Sequence, residues 1–296
     1  MAKTAWRFGL LALALASPLP ARDPPANLAP AIYTDPPRDT AHPAGMVVLH
    51  IPSGGVAING VAYTAAGTGP HPTLILFHGW PGNEKNLDLA QAVRRAGWTV
   101  VTLNYRGSWG SPGRFSFAGN LEDARSALAY LRTPANAAAL RADPARIVIG
   151  GHSMGGWVTA MTAARDEGLA GAILISAANM GAVGRMPREA LLGVASENME
   201  TLAGITAESM ADELAAHADA FDWAAGAAGL RRAPLLVLSS DDGLAPQTDA
   251  LVASLRSSGA ARVSAVHVAT DHGWSDRRIR LQNEVIAWLA RLGARQ

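Results

Sequence analysis

Gly151-His152-Ser153-Met154-Gly155 is a G-x-S-x-G pentapeptide set between the apolar run Ile147-Val148-Ile149 and a helical pattern from Trp157 to Arg165. In that context Ser153 occupies a sharp strand-to-helix turn with its hydroxyl projecting clear of the strand, and Gly151 and Gly155 leave room where a Cβ would clash. The helix N-terminus adds its dipole, and the Met154 amide faces the place where an oxyanion would form. A serine hydroxyl is a weak nucleophile without a base. Its partners are expected later in the chain, an acid first and then a histidine, each on a loop after a strand.

Of the eight histidines, His42, His50 and His71 precede the first parallel strand, His78 sits in a loop, His152 lies inside the turn, His217 falls in a helical stretch and His267 in a strand. Only His272, in Thr270-Asp271-His272-Gly273-Trp274, follows Ser153 at the end of a strand and just before a helix, so it is the expected base. For the acid, Pro234–Ser239 runs into Ser240-Asp241-Asp242-Gly243-Leu244-Ala245-Pro246. Asp242, four residues before Pro246, is preferred and Asp241 is the alternative. Asp271 is poorly placed to grip the far ring nitrogen, and Asp276 suits the first turn of the last helix. The second oxyanion donor is expected in Leu76-Phe77-His78-Gly79-Trp80-Pro81-Gly82, from the Trp80 N–H. Tyr105 and Trp109 in the next loop, with His152, are candidates to line the substrate pocket. This set would carry out acyl transfer through a covalent serine intermediate.

The elements that must position these residues follow from apolar patterning. From Gly45 onward, short apolar runs alternate with helical patterns, the signature of βα units and a mostly parallel sheet with helices on both faces. Met46–Ile51 and Val56–Thr64 read as an antiparallel edge hairpin. Thr73–Phe77, Thr99–Leu103, Ile147–Ile149, Ala172–Ile175, Leu235–Leu238 and Val263–Val268 read as buried strands. One helix is expected to start at an Asn120 N-cap and another near Ser275, the latter burying Ile279, Ile286 and Leu289 and ending at Gly293. Residues 180–232 show no strand signal, with helix-like stretches Pro187–Leu202 and Ala207–Ala224, and are expected to form a small helical cap.

Residues 1–21 fit an export signal: Lys3 and Arg7 precede the apolar run Phe8–Ala16 and a small-residue end, with cleavage after residue 16 or 21. That run is too short for a stable membrane span, and the expectation is an exported, periplasmic or secreted protein. Residues 22–44 form a proline-rich arm, and 45–296 a single catalytic domain. The 25 basic residues against 24 acidic ones offer no excess to neutralise nucleic-acid phosphates. No cysteine is present, so disulfides, thiolate metal sites and a cysteine nucleophile are excluded.

The segments H-G-W-P-G, N-Y-R-G-S-W-G-S, G-H-S-M-G-G, S-D-D-G-L-A-P and D-H-G-W-S, in that order from about Gly45 to Arg291, resemble those of the α/β-hydrolases, and within them the dienelactone-hydrolase and prolyl-oligopeptidase-like branch. The resemblance implies the α/β-hydrolase fold and a serine hydrolase acting on an ester, thioester or amide, with a carboxylesterase preferred. The alternatives are a serine peptidase or amidase of the prolyl-oligopeptidase-like type, and a non-catalytic binding module on the same fold. The chain departs from the branch in lacking a propeller and in carrying Ser rather than Cys at position 153. No metal or organic cofactor is expected, and the expected partner is a small-molecule ester or a peptide. Oligomeric state is not encoded in any motif.

Overall fold

The computed structural model describes residues 28–260 and 262–293; the expected export signal, the start of the arm and residues 261 and 294–296 lie outside them. Eight strands form one sheet: β1 Gly45–Ser53, β2 Val56–Thr64, β3 His71–Phe77, β4 Thr99–Leu103, β5 Ala142–His152, β6 Gly171–Ile175, β7 Leu235–Ser239 and β8 Val263–His267. Their spatial order is β1-β2-β4-β3-β5-β6-β7-β8. The β1–β2 hairpin is antiparallel, with Leu49 opposite Gly60, and β2 joins β4 antiparallel. Every pairing from β4 to β8 is parallel.

The central strands read as unbroken apolar runs because both faces are covered. The helices are α1 Leu87–Arg95, α2 Phe117–Arg132, α3 Pro134–Ala139, α4 Met154–Ala163, α5 Met180–Gly184, α6 Arg188–Glu197, α7 Ala207–Ala216, α8 Ala227–Leu230, α9 Ala245–Ser257 and α10 Arg278–Gly293. Strand alternation divides the core in two. Ile75, Phe77, Val101, Ile147, Ile149 and Leu174 pack against α2, α4 and α9. Leu74, Leu76, Val100, Val148 and Ile173 pack against Leu89 and Val93 of α1 and Leu281, Val285 and Leu289 of α10. Each such side chain, taken fully out of water, contributes about 2 kcal/mol. The described end of the arm lies on this second layer, with the Ala29 amide donating to Asn283 Oδ1 (3.0 Å) and Arg95 Nε to the Ala31 carbonyl (2.6 Å).

Two helix starts differ from expectation. Ser116, not Asn120, caps α2: its backbone is extended (φ −158°, ψ 153°) and its Oγ accepts from the Gly119 amide. Asn120 is already helical and buried, with Nδ2 3.4 Å from Met154 Sδ. The last helix begins at Arg278 rather than near Ser275, whose amide is tied to Asp271 Oδ1 at 2.7 Å. The buried stripe of α10 is Leu281, Val285 and Leu289, and Ile279, roughly 200° around the helix from Leu281, is 56% exposed rather than buried.

Residues 180–232 are helical, in shorter pieces than the sequence pattern suggests: α6 ends at Glu197 and α7 at Ala216. The segment rests on α4 through the Trp157 indole N–H, which donates to the Phe221 carbonyl (2.6 Å), and on α2 through Glu213, which accepts from the Ala118 amide (2.8 Å). Its middle is laced to the loop after β4: Trp109 N donates to the Thr201 carbonyl, Ala203 N to Gly107 and Phe115 N to Ala203. No described helix is long and apolar enough to cross a membrane.

Candidate active site

All the expected site residues fall at the C-terminal edge of the parallel strands, where the chain leaves each one. Ser153 follows β5 with φ 57° and ψ −123°, a backbone that L-residues rarely adopt. The turn is possible because its flanks are bare: a Cβ on Gly151 would stand 2.1 Å from the Gly155 carbonyl oxygen, and one on Gly155 would stand 2.2 Å from that of Phe77. The Ser153 amide donates to the Ile175 carbonyl (3.0 Å), and its own carbonyl accepts from the Ala178 amide (3.1 Å), so the strained residue is held from both sides. Gly79, after β3, lies against it, since a Cβ there would come 3.0 Å from Ser153 Cβ.

The amides of Trp80 and Met154 donate to no protein acceptor among the described residues. Trp109 does not open onto a pocket so much as fasten this loop. Its indole N–H donates to the Pro81 carbonyl (2.8 Å), and Lys85 Nζ lies 4.1 Å from the centre of its ring. The Trp80 ring packs edge-on against Phe117 at 5.0 Å.

His272 Nδ1 donates to Asp242 Oδ2 at 2.7 Å. In the neutral ring that bond selects the tautomer with its proton on Nδ1 and a lone pair on Nε2. The Asp242 side chain is 3% exposed. Burial alone would raise its carboxyl, but hydrogen bonds from His272, the Leu244 amide and Ser240, with the charge of His272, hold it down to about 2. Asp241 turns away: its Oδ1 accepts from His267 Nε2 (3.0 Å), and its side chain is 61% exposed. Asp271 holds the Ser275 amide and Asp276 accepts from Thr270 Oγ1 (2.5 Å). Ser153 Oγ has no hydrogen-bond partner among the described residues.

Two pocket candidates prove to be buried supports. Tyr105 is fully buried, its hydroxyl 3.4 Å from the His78 carbonyl and its ring 4.6 Å from the His78 ring. The loop after β4 turns it into the core instead of the cleft. His152 is also buried, and its Nε2 donates to the His272 carbonyl at 2.7 Å, with the two ring centres 4.5 Å apart. Burial, and then the neighbouring His272, pushes His152 down to about 4, so it is neutral near pH 7. His78 is likewise pushed down to about 4 by burial.

Sequence reasoning passed over Ser176, Ser240 and Trp274, which the fold brings together from the ends of three strands. Two of them stood inside the quoted motifs, but no local spacing connects residues 64 and 98 positions apart. Among the described residues, no three His, Asp or Glu side chains converge as a metal site.

The BD-FAE family model matches residues 61–177, which include the Trp80 loop and the Ser153 turn and stop before Asp242 and His272. An uncharacterized protein of Mycobacterium tuberculosis is 32% identical over 114 residues, 38% of this chain and 39% of the relative, so the match spans about two fifths of that protein. Among solved structures, EstE1, a thermophilic carboxylesterase cloned from a metagenomic library, superposes with a TM-score of 0.63 at 20% identity, over 85% of this chain and 90% of that one. The acylaminoacyl peptidase of Pyrococcus horikoshii superposes with a TM-score of 0.63 at 17% identity, over 83% of this chain and 41% of that one. With its strand order, its strand–turn–helix at Ser153 and these superpositions, the chain has the α/β-hydrolase fold.

Proposed function

We propose that the protein is a serine hydrolase that cleaves a carboxylic ester. The observation that carries this reading is the meeting of three independently positioned parts at one sheet edge: the strained Ser153 turn, two unengaged amides at Trp80 and Met154, and the 2.7 Å His272–Asp242 bond. In the proposed cycle Ser153 Oγ attacks the ester carbonyl while His272 Nε2 takes its proton, and the amides of Met154 and Trp80 stabilise the tetrahedral oxyanion. His272 then protonates the departing alcohol. Water attacks the acyl-enzyme with His272 again as base, returning Ser153 and releasing the acid. Asp242 keeps the ring in its tautomer and stabilises the imidazolium. Residues 180–232, stitched to the loop after β4, would cover the substrate as a cap, and the apolar run after Lys3 and Arg7 supports export as the setting.

The test incubates the wild type and Ser153→Ala with short-chain nitrophenyl esters and with peptide anilides. Ester turnover that falls about a million-fold in Ser153→Ala is expected. Turnover that survives the substitution overturns the nucleophile assignment, and turnover of anilides alone replaces the esterase reading with a peptidase.

A further inference from the structure

The Trp80 amide, an oxyanion donor in the proposed cycle, belongs to a loop held at two carbonyls, one on either side of it. His78 Nδ1 donates to the Gly79 carbonyl at 2.8 Å. A peptide unit is planar, so fixing the Gly79 oxygen also fixes the Trp80 N–H at the other end of that plane. On the far side the Trp109 indole N–H donates to the Pro81 carbonyl at 2.8 Å. His78 has a support of its own. With Nδ1 donating, Nε2 of the neutral ring accepts, and the hydroxyl of buried Ser108 lies 3.5 Å from it. Both anchors of the loop thus lead to consecutive residues, Ser108 and Trp109.

Those two residues are in turn held by the 180–232 segment. Trp109 N donates to the Thr201 carbonyl (3.1 Å), Ala203 N donates to the Gly107 carbonyl (2.7 Å), and Ser108 pairs antiparallel with Leu202. Consecutive side chains of a strand point to opposite faces, which would send only one of the two toward the Trp80 loop. Trp109 has φ 49°, outside the extended region, and both side chains reach that loop. A tryptophan keeps such a backbone only where its surroundings over-determine it. Here each of its polar groups is bonded: the amide to Thr201, the indole to Pro81, and the carbonyl accepting from Asn104 Nδ2 at 3.1 Å.

We propose that Ser108 and Trp109 are positioning residues that carry the placement of the 180–232 segment to the Trp80 amide, so that this segment aims the oxyanion donor; this rests on the acyl-transfer reading of the site. Their effect falls on the transition state, where the oxyanion forms, so losing them lowers kcat and leaves KM alone. The 180–232 segment then contributes to the rate itself, through the ladder between 107–109 and 201–203, and not only as a cover.

The experiment compares the wild type with Trp109→Phe, Ser108→Ala, Ala203→Pro and the double variant Trp109→Phe/Ala203→Pro, with active sites counted by a fluorophosphonate label. Ala203→Pro removes the N–H that bonds Gly107 and so cuts the ladder from the far side, leaving both positioning residues in place. Two quantities are read: kcat and KM on a short-chain nitrophenyl ester, and the Ki of an alkyl trifluoromethyl ketone. Ser153 Oγ adds to that ketone, its proton passing to His272, and the resulting oxyanion needs the Trp80 amide as the ester's does. An oxyanion donor removed outright costs about 100- to 1,000-fold. One that is present but misaimed is expected to cost less, about tenfold in kcat for Trp109→Phe and about threefold for Ser108→Ala and Ala203→Pro, with KM within about twofold. Ki is expected to rise by the factor that kcat falls. The double variant is expected to lose no more than Trp109→Phe, because both changes act through one chain of contacts. Unchanged kcat and Ki in Trp109→Phe, or a KM that rises in their place, overturns the positioning role. Ala203→Pro behaving as the wild type, or additive losses in the double variant, overturns the link to the 180–232 segment. A wild type inactive on every ester, with the ketone still binding more weakly to Trp109→Phe, sinks the esterase proposal and leaves the positioning role standing.

Discussion

The loops after β7 and β8 carry two aspartate–histidine pairs side by side. Asp242 and His272 meet at 2.7 Å, and Asp241 and His267 at 3.0 Å. His267 even has a serine on its other nitrogen, Ser239 Oγ at 3.0 Å from Nδ1. Judged by residue type and distance, the two are near equivalents. They differ in what surrounds them. The carboxylate of Asp242 is enclosed and takes donors from His272 Nδ1 and the Leu244 amide, whereas Asp241 stands in solvent with His267. Serine, histidine and aspartate within reach of one another are therefore not sufficient. An acid that orients an imidazole must itself be oriented, and burial with several donors is what provides that.

The largest test of this contrast is a pair of isosteric changes. Asp242→Asn is expected to lower kcat about ten-thousand-fold by removing the acceptor that fixes the ring's tautomer, while Asp241→Asn changes it less than about twofold. A large loss in Asp241→Asn alone would transfer the role to the exposed pair. Next in size is the support of His272 from behind. His152→Leu leaves the His272 carbonyl without its 2.7 Å donor and is expected to cost about tenfold in kcat; unchanged kcat would show that the backbone of His272 holds itself.

Acid should act on the enclosed groups in two steps. His78 and His152 are held at about 4 in the folded protein, below the ordinary 6.5. Between those values the unfolded chain binds more protons, so stability is full above pH 6.5 and falls as the pH drops toward 4. Asp242, held at about 2 against an ordinary 3.8, adds a second loss between those two values. Melting temperature measured against pH checks both. A His152→Gln variant whose upper step is as deep as the wild type's would count against the first. The smallest effect belongs to the exposed pair: His267→Gln is expected to change stability by no more than about 0.5 kcal/mol in urea unfolding.

Much of this arrangement is written in short-range sequence. The strands are legible because covered strands are unbroken runs such as Leu235–Leu238. The turn at Ser153 is legible because only glycine fits beside it, and Asp242 stands out by its distance from Pro246. What escapes are properties set by the partner surface. Tyr105 follows a strand as a cleft residue would, yet the loop folds it inward onto His78. Asn120 has the chemistry of a cap, but Ser116 has the backbone for one. Ile279 fits an apolar period whose phase only docking on the sheet decides. The Trp274–Ser176–Ser240 cluster follows no single period or motif, because its members become neighbours only after β6, β7 and β8 are in register.

That register has a temporal side. The Ser153 amide is bonded to Ile175, Ser176 to Leu238, and Asp241 to Thr270, so each site loop hangs on the strand end beside it. Parallel pairings of this kind close long loops and form slowly compared with local helices. During refolding, helical circular dichroism should therefore return before any ester is turned over. Recovered activity then serves as a clock for the docking of the last of the strands that carry Ser153, Asp242 and His272.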